Sequence, residues 1–271
     1  MGNEPSKNPT SLNPASKSMR FRAIPDTFET YEDLTKALRK AGLESSNLVL
    51  GIDYTKSNTW TGERTFSGKC LHEINPDPRL LNPYQHVIST LGRTLEGFDD
   101  DKLIPVFGFG DATTGGSLCF PFLPDNQVCH GFDQVLERYN QITPHIVLAG
   151  PTNFAPVIRE AINLCTVQRQ YTILVIIADG AVTSVEETMK AIVAASDYPI
   201  SIIMVGVGDG PWDEMVHFDN MLPSRRFDNF QFVDYNKTLK WNQKNPDIGF
   251  ATAALMEIPE QYKLIRAHGL L

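Results

Sequence analysis

The chain has 271 residues and a formal net charge of −8, so it is long enough to bury a full core in one large domain or two small ones. Its pI near 5.3 argues against a general nucleic-acid-binding protein, which would need a basic surface. No apolar run is as long as a membrane span. The four cysteines are scattered and form no C-x-x-C pair, and this cysteine pattern favours a reducing, cytoplasmic setting.

Residues 1–25 are rich in Ser, Pro, Asn and Lys without apolar periodicity, so we predict a flexible N-terminal tail. Its first six residues, from Met1 to Ser6, fit the M-G-x-x-x-[ST] pattern for N-myristoylation of Gly2. Basic residues follow the pattern at Lys7, Lys17, Arg20 and Arg22. A basic cluster is the usual second signal that holds an acylated protein on an anionic membrane, such as the inner face of the plasma membrane. The alternative is an unmodified tail.

Residues 26–271 alternate helical and strand patterns, and we predict a single domain there. Helical spacing of apolar residues predicts helices over 30–41, 83–98, 131–139, 153–165, 184–195, 212–221 and 251–266. Apolar runs predict strands over 47–53, 103–109, 172–178, 200–207 and 230–233, with a small edge segment near 117–122. Near-continuous Val and Ile runs between amphipathic helices indicate an α/β fold. We predict a doubly wound, mostly parallel six-stranded sheet with helices on both faces and the strand order 3-2-1-4-5-6.

The first predicted strand ends in an oxygen-rich motif in which Asp53, Thr55 and Ser57 occupy alternate positions. An extended backbone would send these three side chains to the same side. One carboxylate and two hydroxyls suit a hard cation such as Mg2+ or Mn2+. The alternative is a polar loop in which the two hydroxyls only cap the backbone.

Two further oxygen donors are predicted to reach the same place. In a doubly wound sheet, ligands bind beyond the carboxyl ends of the strands where the strand order reverses, here between the first and fourth strands. The fourth strand ends at Asp179, and Thr152 lies in the loop that enters the preceding helix. Asp53 and Asp179 should therefore meet in one crevice, where their mutual repulsion would favour a cation. The alternative role of Thr152 is a helix N-cap.

In order, Asp53, Thr55, Ser57, Thr152 and Asp179 match the metal-ion-dependent adhesion site of von Willebrand factor A domains, D-x-[ST]-x-S followed by a distant Thr and a distant Asp. The chain therefore resembles that family. The resemblance implies a Mg2+ site, with Mn2+ or Ca2+ as alternatives. It also implies an incomplete coordination sphere that an acidic side chain of a partner protein fills.

A narrower resemblance rests on the segments 53–58, 108–111, 150–155, 206–212 and 227–232, which read DYTKSN, GFGD, GPTNFA, GVGDGPW and FDNFQF. They resemble the A domains of copines and of the plant copine-like RING ubiquitin ligases. The resemblance implies a non-enzymatic, divalent-metal-dependent module that binds acidic partner proteins. One alternative is the substrate-recruiting part of such a ligase whose RING is absent from this chain. A second is a metal-dependent phosphohydrolase, although Tyr54 and Thr55 break the D-x-D-x-T pattern of Asp-based phosphatases.

No catalytic residue is assigned, because Ser57 lacks an evident base partner and the six histidines show no ligand spacing. The histidines are expected on the surface or in the core. Asp111 and Asp209 each follow a glycine at a strand end and are predicted to be turn residues more often than site residues. Four aromatic residues are expected to pack in the core rather than form a partner-binding patch: Trp212, Phe227, Phe230 and Phe232.

Overall fold

The computed structural model describes residues 28–180, 182–222, 224–241 and 243–271, so the predicted tail 1–25 and Gly2 lie outside the described residues. In the described part the strands are β1 (Asn47–Asp53), β2 (Leu103–Ile104), β3 (Val106–Phe109), β4 (Cys119–Pro121), β5 (Cys129–His130), β6 (Thr172–Ala178), β7 (Ile200–Gly206) and β8 (Phe230–Asp234). The α-helices are α1 (Tyr31–Ala41), α2 (Pro83–Leu95), α3 (Gly131–Ile142), α4 (Ala155–Gln168), α5 (Val185–Ala195), α6 (Asp213–Met221), α7 (Tyr235–Trp241), α8 (Pro246–Leu255) and α9 (Ile258–Ala267).

Six of these strands form one sheet in the order β4-β3-β1-β6-β7-β8. All neighbours in it run parallel except β3 and β4, which are antiparallel. The order is the predicted 3-2-1-4-5-6, and the doubly wound α/β fold is confirmed. Because Ile52 pairs with Ile177, the carboxyl ends of β1 and β6 lie side by side at the point where the order reverses.

The sheet is buried on both faces, which explains its nearly continuous apolar strands. Every residue of β6 is buried, and its side chains alternate between two separate apolar clusters. The cluster on one face includes Ile173, packed with residues of α1, α2, α3, α8 and α9. The cluster on the other face includes Leu174, packed with residues of α4, α5 and α6. Two helical layers therefore hold the central strands rigidly from both sides.

The predicted strand 103–109 is wrong as one element, because Pro105 divides it. β2 pairs antiparallel with β5 in a separate small sheet, and β3 joins the main sheet beside β1. Pro105 has no N–H to donate to a ladder, but its carbonyl accepts the N–H of Leu50 at 3.0 Å. The chain therefore changes sheets at the proline.

The C-terminal prediction also needs correction, because the predicted helix 251–266 is two helices, α8 and α9. Pro259 lies in the first turn of α9, where a missing N–H costs nothing, and cannot lie in the interior of a longer helix. The sequence analysis also missed α7. That helix follows β8 directly, and the Asp234 carboxylate accepts the N–H of Lys237 at 3.0 Å in its first turn. This is an ordinary start signal for a helix.

The remaining boundaries shift by a few residues. α1 begins after Thr30, whose hydroxyl accepts the N–H of Asp33, and ends at Gly42, whose φ of +114° is left-handed. α2 ends at Leu95 rather than at 98. α4 begins at Ala155 rather than at 153. In the described part of the chain, none of the helices is both long enough and apolar enough to cross a membrane.

The loop between α2 and β2 contains a buried carboxylate with an unfavourable environment. Asp99 is 3% exposed, and neither of its carboxylate oxygens has a hydrogen-bond partner among the described residues. Burial, with the neighbouring Asp101, raises the pKa of Asp99 to about 7. Because this pKa is raised on folding, the native state loses stability as the pH rises from about 4 through 7.

Asp99→Asn is therefore expected to raise the free energy of unfolding at pH 8 by about 1 to 2 kcal/mol, because the amide has no charge to bury. At pH 4 the two proteins should be nearly equal. Chemical denaturation at both pH values measures this, with the exposed neighbour Asp100→Asn as control. An equal gain at pH 4 and pH 8, or a loss at pH 8, would contradict the assignment.

Candidate functional site

The predicted oxygen donors lie at the carboxyl edge of the sheet, at the ends of its two central strands. Asp53 is the last residue of β1 and Asp179 directly follows β6. Asp53 is fully buried and Asp179 is 1% exposed. The parallel register of β1 and β6 is what brings the two carboxylates together from positions far apart in the sequence.

Four of the five predicted residues form one hydrogen-bond network. The Thr55 N–H donates to Asp53 Oδ1 at 2.7 Å, and Ser57 Oγ donates to Asp179 Oδ1 at 3.0 Å. The Thr55 and Ser57 hydroxyls are 2.9 Å apart. Since the single proton of Ser57 goes to Asp179, Thr55 is the donor in that pair. The Thr55 N–H and the hydroxyls of Thr55 and Ser57 therefore connect the two carboxylates.

The route to this convergence differs from the prediction. The backbone stays extended as far as Thr55 and then turns into a short 3-10 helix at Lys56–Thr59. Gly110 lets the chain after β3 pass close to this turn, because a Cβ there would lie 2.4 Å from the Thr55 methyl carbon and its φ is +80°. The hydroxyls meet because the turn folds them back toward the strand end.

Thr152 lies on the loop between the 3-10 turn Thr143–His145 and α4, beside the segment that follows Asp179. Its carbonyl accepts the N–H groups of Thr183 at 3.0 Å and Ser184 at 3.3 Å. Among the described residues, its side chain makes no hydrogen bond to the other four predicted donors. Thr152 is not an N-cap either, because α4 begins at Ala155 and the Asn153 side chain accepts the first N–H.

The two carboxylates are electrostatically frustrated. Asp53 Oδ2 is buried and has no hydrogen-bond partner among the described residues. Burial, and then the charge of Asp179, raise the pKa of Asp53 well above its usual range, and burial also raises the pKa of Asp179. Such a pair needs a shared proton or a cation, and the buried free oxygen fits a cation.

The donor set determines which kind of cation would fit. Within the described residues, no three His, Cys, Asp or Glu side chains are placed to hold a metal ion. A cation here would therefore depend on hydroxyl oxygens beside the two carboxylates. An all-oxygen set of this kind suits Mg2+ or Mn2+ rather than a soft transition metal.

The sequence analysis missed Thr61, which completes the environment of Asp179. Its hydroxyl donates to Asp179 Oδ2 at 2.6 Å, so both oxygens of that carboxylate accept hydroxyl protons. Thr61 belongs to the long connection between β1 and α2, where no periodic pattern indicates which residues turn inward. Nothing in the spacing of the motif distinguishes it from the exposed Thr59 and Thr65.

A buried polar layer holds the motif from below. The Asn58 amide donates to the Thr55 carbonyl at 3.0 Å and accepts a proton from the Tyr84 hydroxyl at 2.7 Å. His72 Nε2 lies 2.7 Å from the Asp53 carbonyl and must donate, because a carbonyl only accepts. His72 Nδ1 then accepts from the Tyr139 hydroxyl. Burial lowers the pKa of His72 to about 3, so the ring is neutral.

Asp111 and Asp209 are turn residues, as predicted. The Asp111 carboxylate accepts the N–H groups of Thr113 and Thr114 within its own loop. Although burial opposes it, these hydrogen bonds hold the pKa of Asp111 below its usual value. Asp209 accepts the N–H groups of Arg64 at 2.8 Å and Thr65 at 3.0 Å, which ties the β1–α2 connection to the end of β7.

The four predicted aromatic residues pack in the core. Phe227 and Phe230 are buried in the two clusters, one on each face of the sheet. Trp212 and Phe232 are partly buried against the α4–α6 face, with ring centroids 5.4 Å apart.

Together these features define a doubly wound α/β domain with two buried carboxylates and adjoining hydroxyls at its topological switch point. A family model described as Copine matches residues 70–271. The chain belongs to the copine family, as its sequence resemblance indicated.

Two relatives agree with this assignment. The chain is 53% identical to copine family protein 2 of Caenorhabditis elegans. That match covers 90% of this chain and only 3% of the longer protein. It is 51% identical to E3 ubiquitin-protein ligase RGLG3 of Arabidopsis thaliana over 89% of its length and 69% of that protein. Solved structures with a related backbone include manganese-loaded Plasmodium vivax TRAP protein, with a TM-score of 0.46 and 12% identity over 73% of this chain and 72% of that one.

We expect Asp53→Asn to stabilise the metal-free protein at pH 8 by about 1 to 2 kcal/mol, since it removes a buried charge while its amide oxygen still accepts from Thr55. For a chain of this size the melting temperature would rise by about 2 to 8 °C in chelator. The pKa of Asp53 is raised on folding, so ionisation of its carboxyl group costs the native state more stability as the pH rises. Removing that carboxyl group is therefore stabilising at pH 8.

The matched control is Asp111→Asn at the same edge of the sheet. The Asp111 pKa is lowered, so its charge stabilises the protein above about pH 4, and its replacement should destabilise. If both variants lowered the melting temperature, the claim that the buried charge of Asp53 destabilises the protein would be refuted.

Proposed function

We propose that this chain is a divalent-cation-dependent protein-interaction module without catalytic turnover, whose partners are acidic proteins. The observation that carries the proposal is the buried, unpartnered Asp53 Oδ2 beside Asp179. Within the described residues that oxygen has no hydrogen-bond donor, and a bound cation would remove the resulting penalty.

Asp53, Thr55, Ser57 and Asp179 would hold the cation directly or through water, with Asp179 positioned by Ser57 and Thr61. Thr152 is included as the fifth ligand on the sequence motif alone. The proposed ion is Mg2+, with Mn2+ or Ca2+ as the alternatives that a titration separates. It would supply positive charge that attracts a carboxylate from another protein. Because Thr55 and Ser57 contribute neutral oxygens, the chain's own ligands leave part of the coordination sphere to that carboxylate or to water.

The proposal places the protein in the cytoplasm, with attachment to the inner face of the plasma membrane through Gly2 and the basic residues of the tail. This rests on the myristoylation pattern alone, since the tail lies outside the described residues. A shift of the intact mass by one myristoyl group after expression with a myristoyltransferase, absent in Gly2→Ala, tests it.

A second candidate function has support from the relatives. RGLG3 is named an E3 ubiquitin-protein ligase, and the chain spans 69% of it. Under this candidate, the chain recruits substrates for a longer ligase, and the same cation site contacts them. A RING pattern encoded downstream of residue 271 in the native transcript would support it, and a stop codon there would reject it.

Calorimetric titration should show Mg2+ binding at a single site in the wild-type protein and no binding in Asp53→Asn. Saturation at 100 times the dissociation constant stabilises a protein by about 2.7 kcal/mol. The wild-type melting temperature should therefore rise with Mg2+ and return with chelator, while that of Asp53→Asn stays constant. A wild-type protein that binds neither Mg2+, Mn2+ nor Ca2+ contradicts the proposal.

The polar layer below the motif should control cation affinity. Tyr84→Phe leaves Asn58 without its proton donor and loosens the Asn58 contact with the Thr55 carbonyl. Outer-shell partners of this kind typically contribute about tenfold or more to metal affinity. We expect Tyr84→Phe to weaken Mg2+ binding about tenfold in the same titration.

Tyr54→Phe is the matched control, because Tyr54 is equally buried and its hydroxyl bonds Thr143 instead. Both variants should lose about 1 kcal/mol of stability. Only Tyr84→Phe should lose cation affinity. Equal affinities in the two variants would remove the proposed support role.

A further inference from the structure

Three exposed apolar side chains lie at the carboxyl edge of the sheet, the edge that carries the cation site. One is in the β1–α2 connection, one directly before β4 and one in the first turn of α5. Trp60 is 58% exposed, Leu118 is 63% exposed and Val185 is 36% exposed. We call these three residues the apolar rim. Single exposed apolar residues are common and need no explanation, whereas an extended exposed apolar surface with polar residues beside it marks an interaction site.

Trp60 is tied directly to the site. Its N–H donates to the Ser57 carbonyl at 2.9 Å, so it closes the 3-10 turn that carries Ser57. The next residue, Thr61, donates to Asp179. Trp60 therefore lies between two residues that hold Asp179, while its own side chain points to solvent rather than into the core.

Leu118 and Val185 border the other side of the site through the loop that contains Thr152. A Cβ on Gly116 would lie 2.5 Å from the Pro151 ring, and the Asn153 amide donates to the Gly116 carbonyl at 2.7 Å. These contacts fix the loop that ends in Leu118 against residues 150–153. Val185 follows Ser184, whose N–H donates to the Thr152 carbonyl.

The charged side chains described at this edge leave one cation without an ion pair. Glu186 and Glu187, beside Val185, are paired with Lys190 and Arg159, whereas Lys56 forms no ion pair within the described residues. Lys56 is exposed and lies between Thr55 and Ser57 in the sequence. The proposed cation adds positive charge beneath it. A carboxylate that approached the cation would meet apolar surface on both sides, provided by Trp60 and by Leu118 with Val185.

We propose that the apolar rim selects partner segments in which an Asp or Glu is flanked by large apolar side chains, with Trp60 as the main contact. This inference rests on the proposed function, because the carboxylate binds through the cation. Tryptophan is enriched among the residues that dominate binding energy, since its large ring buries much area at a small entropic cost. The carboxylate gives cation dependence and the rim gives selectivity.

The test uses a display library of short random peptides with a fixed central Asp, selected on the intact protein in Mg2+ and eluted with chelator. Selected peptides should share a large apolar residue at a constant distance from the Asp. Synthetic copies should bind the wild-type protein in Mg2+, and Trp60→Ala should weaken that binding at least about tenfold. Trp60→Phe should restore most of it.

Two measurements separate the rim from other effects. Calorimetric Mg2+ affinity should be the same in Trp60→Ala as in the wild type, because Trp60 contributes only backbone groups to the site. Val167→Ser is the control, since Val167 is 83% exposed in the last turn of α4, at the opposite edge of the sheet. It should change neither Mg2+ affinity nor peptide binding.

The outcomes distinguish this inference from the function on which it rests. A wild-type protein that binds no divalent cation refutes the proposed function. Where the wild-type protein binds Mg2+ normally, three results would overturn the rim and leave the cation site standing. These are selection of acidic peptides without a shared apolar residue, failure to select any peptide, and full peptide affinity in Trp60→Ala.

Discussion

The structure depends on two buried carboxylates that the sheet forces together. β1 and β6 are the central strands, both faces of the sheet are packed with helices, and the parallel register leaves Asp53 and Asp179 no room to separate. A close-packed protein core does not deform to relieve a local charge. The cost of the pair is therefore built into the fold, and a compensating positive charge would offset it.

The surrounding polar groups hold this arrangement in place rather than neutralise it. Ser57 and Thr61 donate to both oxygens of Asp179, and the Thr55 N–H donates to one oxygen of Asp53. Below them, Asn58 and His72 bind the backbone carbonyls of the motif. The result is a preorganised site in which one oxygen, Asp53 Oδ2, accepts no hydrogen bond from the part of the chain that the structure describes. Preorganisation of this kind lowers the cost of binding.

The sequence predicted the sheet order and the meeting of Asp53 with Asp179 because both follow from strong signals. Fully apolar strands and the switch-point rule place those residues without knowledge of any loop. The division of the strand 103–109 was predictable in principle from Pro105, and α7 from Asp234. Thr61 and His72 were not, because their roles depend on how the long β1–α2 connection folds. The role of Thr152 also depends on loop contacts, and its backbone rather than its side chain makes the contacts described.

The most direct test of the central claim is a crystal structure grown in Mn2+, with data collected for its anomalous signal. A cation site at the two aspartates predicts an anomalous peak within about 2.0 to 2.6 Å of Asp53 Oδ2 and of the neighbouring hydroxyl oxygens, the range of oxygen ligands around hard divalent cations. It also predicts that a carboxylate or a water completes the coordination. A map without a peak there, at a Mn2+ concentration that saturates exposed carboxylates elsewhere on the molecule, would show that the two aspartates share a proton instead.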